Sequence, residues 1–165
     1  KFTSAIIPIG LLIFLFGILV VQGNVRSNGN GDALARLGSL FILIGVIGWV
    51  IASGASLAIA GSGLPAEHAI PAFGSLYSAT LGIGTVAGLL AGIGFLGLAL
   101  ALSTREDYNK MFARVAAAVA VVVIVVTIIG GVDSSQLETM SLITGVCYLV
   151  HSLWMITLGL NLIKE

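Results

Sequence analysis

One histidine stands where an ionisable side chain is expensive. His151 lies ~13 residues into a run long and apolar enough to cross a bilayer, so it falls near the midplane, where a charged form is disfavoured. A neutral imidazole at that depth has three chemical uses: axial ligation of a haem or chlorin, a hydrogen bond to a quinone, or a place in a proton relay. Tyr148, Trp154 and Met155 share its helical face and would line the pocket of such a cofactor. The plainer reading is an imidazole bonded to a carbonyl or hydroxyl of a neighbouring helix. The only other histidine, His68, belongs at the rim of the membrane, so a haem held by two histidines of this chain is not expected.

Other reactive residues are sparse. Cys147 sits one turn before His151, a spacing that lets two side chains reach one metal, but two ligands are too few for a zinc site. As the single cysteine it also excludes an internal disulfide. Glu67 and His68, on the same expected side as Asp133 and Glu138, are either a small rim site or solvated loop residues and helix caps. The run Gly82-Ile-Gly84-Thr-Val-Ala-Gly88 has the outline of a nucleotide-binding GxGxxG, yet no strand precedes it and no acidic residue follows at the required distance. No Ser/His/Asp set, P-loop or intramembrane carboxylate pair occurs. The lack of charge in the central turns of every apolar run argues against an ion pump, a voltage sensor or a proton-coupled transporter.

The elements that must carry these residues follow from composition. Of 165 residues, 58% are hydrophobic and 8% charged, against about a quarter charged in a soluble domain, which makes this an integral membrane chain. Its formal net charge is zero, so no field points to nucleic acid. The pattern predicts an all-α bundle of five transmembrane helices forming a single domain over 1–165, at about 5–22, 34–60, 72–103, 105–131 and 135–163. We read 5–22 as a spanning helix and not as a signal-peptide core. Asn30 or Asp32 would cap the second helix. Ser103 with Glu106, Thr104 with Asp107 and Ser135 with Glu138 form capping boxes for the fourth and fifth, and Gly130-Gly131 is a natural stop for the fourth.

Small residues supply the expected contacts. Gly48, Ala52 and Ser56 continue a four-residue repeat on the second helix. On the third, Gly74, Ser78, Gly82, Gly84, Gly88 and Gly92 share one broad face, which makes it the expected central helix of the bundle. At ~48 Å it is longer than a ~30 Å hydrocarbon core, so it must tilt, kink or protrude. The fifth helix has two faces: Leu142, Val146, Leu149, Leu153, Ile156, Leu160 and Ile163 form an aliphatic stripe opposite the one that bears His151.

Five spans place Arg26, Arg36, Arg105, Lys110, Arg114 and Lys164 on one side and only Lys1 on the other. The bias predicts an outer N-terminus and a cytoplasmic C-terminus, in the plasma membrane. Arg105, Lys110 and Arg114 are expected to anchor that topology or meet anionic head groups. The expected function is that of a non-catalytic accessory or structural subunit, whose partners are the lipid bilayer and either other membrane subunits or further copies of itself. The alternative is a module binding haem, chlorin or quinone through His151. A third reading is a small-molecule channel or carrier using the bare face of the third helix.

Overall fold

A backbone in hydrocarbon has no hydrogen-bond partner but itself, so uncharged runs of this length become helices. A computed structural model of the chain describes residues 2–27 and 31–162. Five long helices account for nearly all of them: α1 (Phe2–Ser27), α2 (Asp32–Gly61), α3 (Ala66–Ser103), α4 (Lys110–Val132) and α5 (Leu137–Leu162). A single 3₁₀ turn, Ser134–Gln136, precedes α5. All five are long and apolar enough to cross a membrane.

Helix α3 is the centre of the arrangement, with α2 on one flank and α4 on the other. Helix α1 packs on α2 and α5 on α4, while α1 and α5 barely meet. The core lies toward the end of the bundle that carries Arg36, Arg105 and Lys110. Ile18, Val21, Val25, Ile42, Leu98 and Leu102 are fully buried there.

Glycine sets the distance between α2 and α3. A Cβ built on Gly38 would lie 2.6 Å from the Gly94 carbonyl oxygen, and one on Gly94 would lie 2.7 Å from the Gly38 carbonyl oxygen. Backbone therefore meets backbone at this crossing. The seam continues through Gly45 against Ala87 and Ala91, and ends where a Cβ on Gly48 would come within 2.8 Å of the Ala87 methyl. On its other side α3 offers Gly92, where a Cβ would stand 3.0 Å from Val123 Cγ1 of α4. The contacts of α3 thus fall in two adjacent seams, Ala87–Ala91–Gly94 toward α2 and Gly88–Gly92 toward α4, while among the described residues Gly74, Gly82 and Gly84 of the expected face meet no neighbouring helix.

Several helix ends differ from the sequence expectation, each for a local reason. Helix α3 starts at Ala66 and contains Pro71. That proline falls within its first turns, where loss of an N–H is least costly. Ser103 and Thr104 do not open α4: their hydroxyls donate back to the Leu100 and Ala101 carbonyls at 2.8 and 2.7 Å and so finish α3. The cap of α4 is Asn109, whose side-chain oxygen accepts from the Met111 and Phe112 amides. Before α5, Asp133 takes the place expected for Ser135, accepting from the Ser135 amide at 2.9 Å and its hydroxyl at 2.6 Å. Those two bonds hold the Asp133 carboxyl below the usual carboxylate range.

Gly130 and Gly131 do not stop α4, which runs on to Val132. They are packing positions: Cβ atoms there would stand 3.1 Å from Met140 Cβ and from Thr85 Cγ2 respectively. Among the described residues only Gly31 and Gly63 have positive φ, at the entry to α2 and in the turn before α3. Asp32 begins α2 and pairs with Arg36 at 2.8 Å, without capping the helix. Lys1, Asn30, Ile163 and Lys164 lie outside the described residues.

Candidate functional site

The inward face of α5 brings Tyr148 and His151 against the middle of the bundle. His151 is 1% exposed. Its Nε2 lies 3.1 Å from the Ala116 carbonyl oxygen of α4. A carbonyl can only accept, so Nε2 carries the proton and donates, which leaves Nδ1 as the lone-pair nitrogen of a neutral ring. Ala116 belongs to a run of buried small residues on α4, with Ala113, Ala117 and Ala120. Nδ1 is buried without a hydrogen bond of good geometry; the Cys147 carbonyl one turn back gives the ring only an off-geometry contact.

Aromatic rings from three other helices surround the pair. Phe95 of α3 stacks on the imidazole, with ring centres 4.2 Å apart and planes 23° from parallel. Trp49 of α2 meets Tyr148 edge to face at 5.1 Å. Phe14 of α1 completes the group beside Phe95 at 5.9 Å. The Tyr148 hydroxyl donates to the Gly88 carbonyl of α3 at 3.1 Å, so α5 is tied to both α3 and α4 by hydrogen bonds.

Two cavities adjoin at this cluster, with Trp49 and Tyr148 in the walls of both. The larger, about 470 Å³, lies among α1, α2 and α5 and reaches Phe95, His151 and the serines Ser53, Ser56 and Ser152. The smaller, about 280 Å³, lies among α3, α4 and α5 and is rich in hydroxyls, including those of Thr80, Thr85, Thr127 and Thr144. Thr80 and Thr85 spend theirs on carbonyls of their own helix, whereas Thr127 Oγ1 is buried and unpaired. Among the described residues, no charged side chain lines either cavity.

The residues singled out from the sequence are therefore split. His151 and Tyr148 share one cavity, but Trp154 lies in the wall of a separate groove of about 220 Å³ between α4 and α5, with Phe112 and Leu153. Met155 packs half-buried against the core. Trp49, Phe95 and Phe14 occupy the places expected for Trp154 and Met155. Sequence spacing along α5 had no means of finding them, because they come from other helices. With Nε2 bonded to Ala116, the imidazole nitrogen left for any ligand is Nδ1.

Cys147 is buried beside His151, and among the described residues no three His, Cys, Asp or Glu side chains gather as metal ligands. Glu67 and His68 stand 3.8 Å apart, both largely exposed. The Gly82–Gly88 run is continuous helix within α3 and not a phosphate-binding loop.

The small residues divide in the same way. Gly48 and Gly92 meet neighbouring helices closely, and Gly88 lies at ordinary contact from Thr127. Ala52 is half-buried and Ser56 exposed, both on the larger cavity. Ser78 is exposed and donates to the Gly74 carbonyl. Gly74, Gly82 and Gly84 have nothing within 4 Å of a notional Cβ. Gly38, Gly94 and Gly97 make the tightest crossing. The spacing Ala87–Ala91–Gly94 was the signal for the α3 side of it.

Arg105 is turned into the protein and away from solvent. It is 6% exposed, donating through Nη1 to the Val25 carbonyl of α1 at 3.0 Å and through Nη2 to Asp107 at 2.7 Å. It lies 5.8 Å from the centre of the Tyr108 ring. The guanidinium thus latches the α3–α4 loop to the end of α1. No protein-family model, curated protein or solved structure matches this chain.

Proposed function

We propose that this chain is a non-catalytic membrane subunit that packs against further transmembrane helices in a larger assembly, either other subunits or copies of itself. One observation carries the reading. Gly54, Gly74, Gly82, Gly145 and Gly159 lie within helices and face open space. Each weakens its helix by about 1 kcal/mol relative to alanine and gains no contact within the chain in return. In hydrocarbon, helices associate by close packing at small residues, so such positions are useful where another helix arrives. The aliphatic stripe of α5 is exposed along its whole length, from Leu142 to Leu160, and meets lipid or that neighbour. Orientation follows the basic bias: an outer N-terminus and a cytoplasmic C-terminus in a plasma membrane.

The test is purification from the source membrane in mild detergent, with native mass spectrometry. A partner chain or a defined oligomer is expected, and Gly74→Leu with Gly82→Leu should release it without loss of helicity. A monomer with no companion from several detergents would sink the proposal.

A further inference from the structure

The larger cavity has a chemical character that helix packing does not require. We propose that it binds a neutral, lipid-soluble phenol ring whose hydroxyl donates to His151 Nδ1, the kind of head group a quinol carries. The argument is independent of whether the chain joins an assembly.

Four features select the ligand. At about 470 Å³ the cavity lies in the range that holds small molecules. Among the described residues its wall contains no charged side chain, so an ion would meet no partner there and enter at high desolvation cost. Phe95, Trp49 and Tyr148 present aromatic surface, which suits a flat ring by stacked or edge-on contact. The fourth feature decides between donors and acceptors. Because Nε2 donates to Ala116, Nδ1 offers a lone pair, and among the described residues no donor meets it, the Cys147 carbonyl nearby being itself an acceptor. A buried acceptor of this kind calls for a donor, and a hydroxyl supplies one whereas a quinone carbonyl does not.

A lipid acyl chain would fill the volume but leave Nδ1 unpaired and Ser53 and Ser152 without partners from the ligand. Helices α1 and α5 stand on either side of the cavity and barely touch, so the proposed entry is lateral, between them. His151 contributes to the cavity wall while its Nδ1 is itself buried, so a bond to Nδ1 requires the surrounding side chains to move.

The test compares para-heptylphenol with its methyl ether, which has the same ring and tail and no donor. Binding is measured to the full chain in lipid nanodiscs as the excess over empty nanodiscs. The phenol should saturate at one per chain, with the ether about tenfold weaker, the change expected for loss of one buried hydrogen bond. His151→Phe keeps a ring against Phe95 but removes Nδ1, and should bind phenol and ether alike. Should that variant fail to fold, Ser53→Phe fills the cavity from α2 without touching the imidazole and should abolish binding of both. Equal affinity of phenol and ether for the native chain, no excess over empty nanodiscs, or undiminished binding in Ser53→Phe would each overturn the proposal.

Discussion

Replacing Gly38 by alanine should destabilise the isolated bundle, while the same change at Gly82 should stabilise it. The added Cβ at Gly38 would lie 2.6 Å from the Gly94 carbonyl oxygen and 2.7 Å from the Leu98 amide nitrogen. Both are backbone atoms of a helix, so neither can rotate away. Ordinary contact begins near 3.4 Å, so α2 and α3 would have to part by about 0.8 Å at the crossing. A gap of that size forfeits about a quarter to a half of each atom contact, which is worth only ~0.1–0.2 kcal/mol. Spread along the seam from Gly38 to Gly48, the loss comes to about 1–3 kcal/mol, the range seen for overpacked cores. The gain in helix propensity from Gly to Ala, about 1 kcal/mol, offsets part of it. At Gly82 nothing lies within 4 Å, so only the gain remains.

Reversible unfolding of the purified chain in mixed micelles, followed by circular dichroism, measures both variants on one scale. Gly38→Ala more stable than the native chain, or as stable as Gly82→Ala, would refute the backbone-to-backbone crossing. Gly82 carries a second consequence: if that face meets a partner, a leucine there leaves the isolated chain folded and breaks the assembly.

Three further outcomes follow from individual bonds. Tyr148→Phe removes the donor to the Gly88 carbonyl and should cost about 0.5–1.5 kcal/mol in the same unfolding measurement, with the Trp49 fluorescence environment altered. Arg105→Met strips the Val25 carbonyl of its long-range donor and should cost about 1–3 kcal/mol, loosening α1 first, as amide exchange near Val25 would register. Little of that loss should come from the Asp107 pairing, since Asp107 is mostly exposed. At Asp133 the folded carboxyl titrates below its usual range, so its contribution is complete above the unfolded value near pH ~4 and is lost as pH falls through the lowered folded value. Exchange protection of the Ser135 amide should therefore drop in acid in the native chain and stay flat in Asp133→Asn, whose side-chain oxygen still accepts.

The five long apolar helices were legible from composition, because an uncharged run of twenty or more residues is what a helix needs to cross hydrocarbon, where the backbone has no other way to satisfy its hydrogen bonds. The two faces of α5 were legible too. Leu142, Val146, Leu149 and Leu153 are 62–68% exposed, while Cys147, His151 and Trp154 are buried, as helical spacing alone predicts. Helix ends were less so. Ser103 and Thr104 read equally well as caps for the helix ahead or as hydroxyls returning to carbonyls behind, and only the backbone path from Thr104 to Asn109 chose between them.

What tertiary structure alone decided was the pairing of surfaces. Every glycine looks the same in a sequence, yet Gly38 touches backbone across α3 whereas Gly82, on a face that looked equally bare, touches nothing. Arg105 reads as a topology charge until α1 brings the Val25 carbonyl to it across 80 positions of chain. The ring cluster around His151 is of the same kind: Tyr148 was visible beside it on α5, but Phe95, Trp49 and Phe14 arrive from helices whose relative rotation no single periodicity encodes. Periodicity assigns a residue to a face of its own helix. Which face meets which is set by backbone approach at positions such as Gly38 and Gly94, and that is a property of two helices at once.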